Sequence, residues 1–439
     1  MKSPIILVST LIFFSFLEAA FPKHGSGSST FPYVLDTNVY TIPTNLGKPA
    51  KGKTIVDPNF YTKITRITDA DKDLGQADKH MRINYPKFDI ASCDGSLILL
   101  RGNSGSGWHL YDGRGFAYIK ALNTRYVGWG SDLDQRWDHS DPNVFYYRRR
   151  AGFYKYDLTT DKGTLLHDLS INYPGATYAG NGEEGDSSRD SRYWAFMIKH
   201  RYETIAFVVY DKDFYGKNNG KIVGEWLNPP AANWISMSPS GERVVVGFST
   251  VRSYARDFTD EIIVGLPAGH GDLSQDAEGN DVFVYFSDIG GGNDWLNVAN
   301  VATGVNTPLI DWNSLYGGSG CHNSGGHISG IDNVNKPGWA IVGTEGPYQD
   351  AVCWPDQSIY MVELKENPRV WRIAHHHAYY TSYGAGAYQT INRAGTKIFF
   401  NSTWDANDFN DLDVYQITLP STWWEDLTGT PDNNPPKAE

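Results

Sequence analysis

The sequence has little that would send it to nucleic acid or into a membrane. Its 439 residues hold 38 Lys+Arg against 50 Asp+Glu, a formal net charge of −12. No basic run interrupts that excess, so the electrostatic footprint of a nucleic-acid binder is missing. Beyond residue 20 no apolar stretch approaches the ~18 residues that cross a bilayer. There are 3 cysteines, with no C-x-x-C and no H-E-x-x-H, so any metal would have to be gathered from distant parts of the chain. Helix-period stretches are lacking as well.

What is present is one phrase said seven times. In residues 269–286, GHGDLSQDAEGNDVFVYF, a polar start leads to a Glu278-Gly279-Asn280 turn and then to an apolar run from Val282 to Phe286. Gly and Asn supply the positive φ a tight hairpin needs, and β-branched and aromatic residues supply the returning strand. The phrase recurs as FDIASCDGSLILLRG, WDHSDPNVFYYRR, GDSSRDSRYWAFMIK, WISMSPSGERVVVGF, GIDNVNKPGWAIVGT and YQTINRAGTKIFFNS, with turns at 94, 141, 190, 240, 278, 336 and 394. Strand-rich repeats about 40 to 60 residues apart predict an all-β, seven-bladed β-propeller of four-stranded antiparallel blades.

The strand-like stretch 60–68, FYTKITRIT, is expected to join the last blade and close the ring, because closure hides sheet edges. Residues 59–420 therefore read as one propeller. Residues 1–20, with Lys2, an apolar core over 5–17 and Ala19-Ala20, read as a secretory leader. The mature protein is expected to be secreted, without a membrane segment, and monomeric. Residues 21–58 read as an extended arm and 421–439 as a tail. Cys321 and Cys353 could pair in an oxidising compartment, leaving Cys93 free. Asn401-Ser402-Thr403 matches a glycosylation acceptor, though on a strand.

In a propeller the innermost strands all begin on one face, so the residues just before the turn phrases converge. Those positions hold His80, Arg136, Glu184, Asp186, His270, Asp272, His322, His327, His375, His376, His377 and Gln389; seven of the 12 histidines fall there. Each second strand returns to the same face, and neighbouring blades deliver Arg101 and Arg148 at the equivalent place, suited to a carboxylate or sulfate. The acid–base and charge-neutralising candidates are His80, Arg101, His109, Arg148 and Tyr147. Substrate contacts are expected from Arg136, Glu184, Asp186, Trp234 and Tyr379. Imidazoles from separate blades suit a divalent metal (Mn, Zn or Ca among the candidates), with His270, His327, His376, His377 and Gln389 as ligands. No organic cofactor is expected. Each residue also has a structural reading: loop capping for His270 and Asp272, a strand position for His109, and packing for most aromatics.

These motifs, GHGDLSQDAEGNDV, GGHISG, PGWAIV, HHHAYY, INRAGTKIFFNSTW and EEGDSSRDSRYWAF, resemble the β-propeller polysaccharide lyases, which include oligogalacturonate, ulvan and rhamnosyl-glucuronate lyases. The resemblance covers about residues 80–404. It implies a lyase acting on an anionic, uronate-bearing polysaccharide by β-elimination. In the oligogalacturonate lyases three His and one Gln hold a metal and a separate His is the base. The nearest matches here are His270, His376 or His377, and Gln389, with the Gln after the His pair instead of before it. In ulvan-type lyases two His, a Tyr and an Arg act. Here His80 matches the first His, and Arg101 stands at the place of the second, with His109 farther on. The rivals are a carbohydrate-binding propeller without catalysis and a metal-dependent hydrolase using Glu184 or Asp186.

Overall fold

Each of the seven phrases closes a hairpin in the computed structural model. It describes residues 31–75, 80–102, 107–128, 133–182, 184–265, 268–287, 295–311, 326–330, 336–345, 353–380 and 383–428. Cys321, His322 and the leader lie outside the described residues. Gly95 and Gly279 take φ of 68° and 85° at their turns, and Ser191 takes the same left-handed conformation at 58°. Asp94, Asp190 and Asp276 each accept a backbone N–H two residues on, the local bond that makes Asp a turn residue.

The hairpins extend into seven antiparallel sheets: blade 1 (81–121), blade 2 (136–168), blade 3 (178–227), blade 4 (234–265), blade 5 (268–311), blade 6 (326–375) and blade 7, which joins the two ends of the chain. Blade 7 has five strands, not four, in the order Thr54–Val56, Lys63–Arg66, Asp413–Thr418, Lys397–Ser402, Thr390–Ile391. The closing strand is the one expected, registered from Lys63↔Thr418 to Arg66↔Tyr415. The fifth is a further N-terminal strand added outside it.

Each sheet is covered on both faces by its neighbours, which is why the second strands read as continuous apolar runs and not as alternations. Successive side chains point to opposite faces. Val244 and Val246 pack with Ala195, Met197 and Phe207 of blade 3, while Val245 between them packs with Phe283 and Tyr285 of blade 5.

The segment ahead of Thr54 touches blade 6, and Thr54–Val56 itself belongs to blade 7. Val34 bridges Arg372, and the fully buried Arg372 guanidinium lies 4.8 Å from the Phe60 ring and 4.9 Å from that of Trp354. The expected tail departs from its reading: it begins with a short helix, Trp423–Thr428. Trp423 is fully buried among Trp339, Trp371 and Ile417, and its indole N–H donates to Gly395 O at 2.7 Å. Two tryptophans and a leucine ahead of the Pro/Asn-rich end give this stretch an apolar face to bury. Cys93 is a free thiol and Cys353 is disulfide-bonded. Asn401 is fully buried, its side chain bonded to Ile83 N. No helix among the described residues is long and apolar enough to cross a membrane.

Candidate functional site at the axial mouth

The connection that follows the innermost strand of blade 1 builds the site. That strand is Met81–Arg82, as short as the innermost strands of blades 2 and 7. The chain then turns at Tyr85-Pro86-Lys87-Phe88, closed by Phe88 N to Tyr85 O at 3.1 Å, with proline in the position that its fixed φ favours. The turn carries Tyr85 and Lys87 across the axis to blades 3 to 6. The Tyr85 ring lies 5.5 Å from His327 and 6.4 Å from His270. Lys87, 2% exposed, pairs with Glu184 at 2.9 Å and sits 5.0 Å from the Trp234 ring.

His270 and His327 start the innermost strands of blades 5 and 6, and their rings lie 4.4 Å apart. Tyr388 packs 4.8 Å from His327, and Tyr383 5.9 Å from it. The Tyr383 hydroxyl donates to that of Tyr85 at 3.3 Å. Two imidazoles and three phenols from blades 1, 5, 6 and 7 thus share one mouth. Tyr383 is 54% exposed, while His327 and Tyr388 lie beneath.

The electrostatics favour neutral rings. Burial lowers the His270 pKa from its ordinary value, and burial with the neighbouring His270 lowers that of His327 further. Gly326 O can only accept, so at 3.0 Å it holds the proton on His270 Nδ1 and leaves the lone pair on Nε2. His327 Nε2 is buried without a hydrogen-bond partner among the described residues. Burial raises the Tyr85 and Tyr388 phenols and pushes the Glu345 carboxyl up to about 7. For Glu184 burial acts upward too, but Lys87 overrides it and the carboxyl stays below its ordinary value.

A cationic pair borders the cluster. Arg82 and Arg101 stand opposite each other in adjacent strands, so their side chains share one face. Arg101 Nη1 donates to Asn84 Oδ1 at 2.9 Å. A Cβ placed on Gly384 would lie 3.3 Å from Arg82 Nη1, which shows the guanidinium reaching the Tyr383 turn. Like charges directly opposite repel.

The other residues singled out by the repeat pattern divide plainly. His80 is at the mouth-side end of blade 1, buried with its ring 4.6 Å from Phe409. Trp234 is buried under Lys87, and Tyr379 is half-buried with its N–H on Thr403 Oγ1. Arg136 is clamped by Asp186 and Gly185 O, deeper in the channel. Arg148 bonds Asp134 and packs 4.3 Å from the Tyr178 ring. His109 and Tyr147 do not reach the mouth. His109 is on a third strand, 3.3 Å from the Tyr118 hydroxyl, and Tyr147 faces the core between blades 1 and 2. Tyr147 and Arg148 are consecutive on a strand and must face opposite ways.

The five metal candidates are not brought together as a set. His270 and His327 meet, but Gln389 donates to His327 O at 2.6 Å. His376 uses Nε2 toward Thr344 O and Nδ1 toward Ala378 N, both at 3.0 Å, and burial lowers its pKa to about 4. His377 stacks on Trp404 and turns Nδ1 to Asp405. Among the described residues no group of three His, Cys, Asp or Glu side chains is placed to hold a metal. The three-imidazole-plus-amide set does not fit these positions. Arg82, Tyr85, Lys87, Tyr383 and Tyr388 were missed as site residues; the Asn84-Tyr85-Pro86-Lys87 turn signal inside a strand position was the available clue.

No family model matches the sequence, and no curated protein matches it. Among solved structures the chain is similar to oligogalacturonate lyase from Vibrio parahaemolyticus, with TM-score 0.57, 14% identity, and 85% of this chain and 100% of that one covered. It is similar to an oligogalacturonate lyase in complex with manganese, with TM-score 0.56, 14% identity, and 86% and 100% covered. It is also similar to the WD40 repeats of RRP9, with TM-score 0.50, 10% identity, and 84% and 100% covered. At these identities the likeness is one of fold, and that fold carries a lyase in two cases and WD40 repeats in the third.

Proposed function

We propose that this chain is an exported lyase that cleaves a uronate-bearing polysaccharide by β-elimination at the axial mouth. The observation that carries the reading is the convergence of a neutral imidazole pair, His270 and His327, with the phenols of Tyr85, Tyr383 and Tyr388 beside the Arg82–Arg101 pair. The C5 proton of a uronate is weakly acidic until the charge of the adjacent carboxylate is countered, which the two guanidiniums would do. His270 Nε2 then takes that proton. The C–H electron pair becomes the C4–C5 double bond, and the C4–O bond breaks. The leaving oxygen takes a proton from a phenol, for which Tyr85 and Tyr383 are placed.

The test is incubation with polygalacturonate, alginate and glucuronan while recording the ultraviolet absorbance of the unsaturated uronate product. A lyase gives that absorbance with at least one polymer. A hydrolase gives reducing ends without it, and a binding propeller gives neither; either of those results sinks the reading.

A further inference from the structure

The three consecutive arginines 148–150 are the densest cationic tract in a chain of net charge −12. Arg148 turns inward to Asp134 and Tyr178. Arg149 and Arg150 are exposed at the hairpin between the second and third strands of blade 2, with Arg149 Nη1 donating to Arg125 O at 2.8 Å. That hairpin lies on the same face as the axial mouth, because second strands end there. It is tied to blade 3 by Ala179 N to Arg150 O at 2.9 Å. Arg150 has φ of 55°, a conformation that costs a residue with a Cβ about 1 kcal/mol and that glycine would adopt freely. Arginine is present at a position where the backbone alone favours glycine.

Beside this hairpin runs a groove of about 650 Å³, walled by Arg149, Arg150, Tyr154, Ser170 and Thr177. Its carboxylate, Asp168, is engaged by Ser170 N and Oγ. The opposite bank is the next hairpin, joined through Thr177: Thr177 N donates to Lys199 O and Arg201 N to Thr177 Oγ1, both at 2.8 Å. At its tip Tyr202 is 97% exposed. A phenol held out on a hairpin tip contributes nothing to the core; it offers a flat apolar face and a polar edge to solvent beside the groove.

We propose that this groove is a second carbohydrate subsite, which holds an anionic stretch of the same polymer away from the reacting uronate. Arg149 and Arg150 take its carboxylate or sulfate groups, and Tyr202 stacks on a sugar face. The proposal rests on the lyase reading for its substrate class, but not for its test.

The test is affinity electrophoresis in native gels containing polygalacturonate, alginate or glucuronan, with neutral hydroxyethylcellulose as control. The intact chain is expected to be retarded by at least one uronate polymer and not by the neutral one. The Arg149→Gln/Arg150→Gln double variant should lose roughly tenfold in apparent affinity or more, and Tyr202→Ala several-fold. Tyr202→Ala removes a side chain that packs on nothing, so its fold is safe if the double variant's is not. Retardation that survives both groove variants, or none with any of the three polymers, overturns the subsite. Groove-dependent retardation without unsaturated product would leave the subsite standing and remove the lyase; product without groove-dependent retardation would do the reverse.

Discussion

The two ends of the axial channel are made by the same seven strands, yet they hold polar residues in opposite ways. At the turn end the charges satisfy one another across the axis. Arg136 is clamped by Asp186, Arg189 donates to Gln275 at 2.5 Å, and Arg393 of blade 7 donates to Arg189 O of blade 3 at 2.8 Å. These cross-channel bonds stitch blades 3, 5 and 7 together and leave a chamber of about 40 Å³, room for a water or two. At the mouth, beside the Lys87–Glu184 ion pair and the two arginines, imidazoles and phenols meet mostly through ring edges. A propeller channel can be closed for stability at one end because it is left chemically open at the other.

That contrast can be broken most directly at the two extremes. His270→Ala is expected to lower unsaturated-product formation by roughly two to four decades while leaving the melting temperature close to wild type. Arg136→Ala should do the opposite. It removes the guanidinium that clamps Asp186 and should cost about 3 kcal/mol or more in chemical denaturation, with substrate affinity little altered. If His270→Ala unfolds the protein, or Arg136→Ala is thermally silent, the division of labour is wrong.

Next in size, Arg101→Ala should reduce kcat/KM by roughly a hundredfold, with partial recovery in Arg101→Lys, since an ammonium restores charge but not the planar fork. A full rate in Arg101→Ala would remove the guanidinium pair from the carboxylate site.

The pH dependence sharpens the comparison further. Burial lowers the His270 pKa, so the basic, proton-accepting form persists below the ordinary histidine value. The acid limb of kcat/KM is expected below about pH 6.5; a limb centred above that value would assign the base to another group.

A last comparison belongs to Asp272, which lies in the wall between the two ends. Burial, with Asp186 adding to it and Lys87 opposing, pushes its carboxyl up to about 8. Its folded pKa is raised, so the protonated form favours the fold, and stability from this group is lost as pH rises from about 4 to about 8. In Asp272→Asn the melting temperature should change less between those values than in wild type. An equal change in both would discount the raised pKa.

How much of this was legible follows from what each feature depends on. The ring could be read because each hairpin is local. A Gly or Asp turn and the apolar run after it lie within about fifteen residues, and their seven-fold repetition specifies the rest. His270 and His327 could be read because every innermost strand starts on the same face. The fate of His376 and His377 could not, since both lie in an irregular connection whose partners, Thr344 and Asp405, are far along the chain. His109 entered only through the resemblance and lies on a third strand beside Tyr118, and Tyr147, next to Arg148, takes the opposite face of its strand into the core.

The sequence by itself determined the number of blades, the strand that closes them and the face on which imidazoles gather, because these follow from local turn chemistry and strand alternation. Only the tertiary structure decided which groups meet. The Pro86 turn throws Tyr85 and Lys87 across the axis, and the ring's closure sets Tyr383 and Tyr388 beside His327. Such contacts join blades that have no proximity along the chain, and no local pattern encodes them.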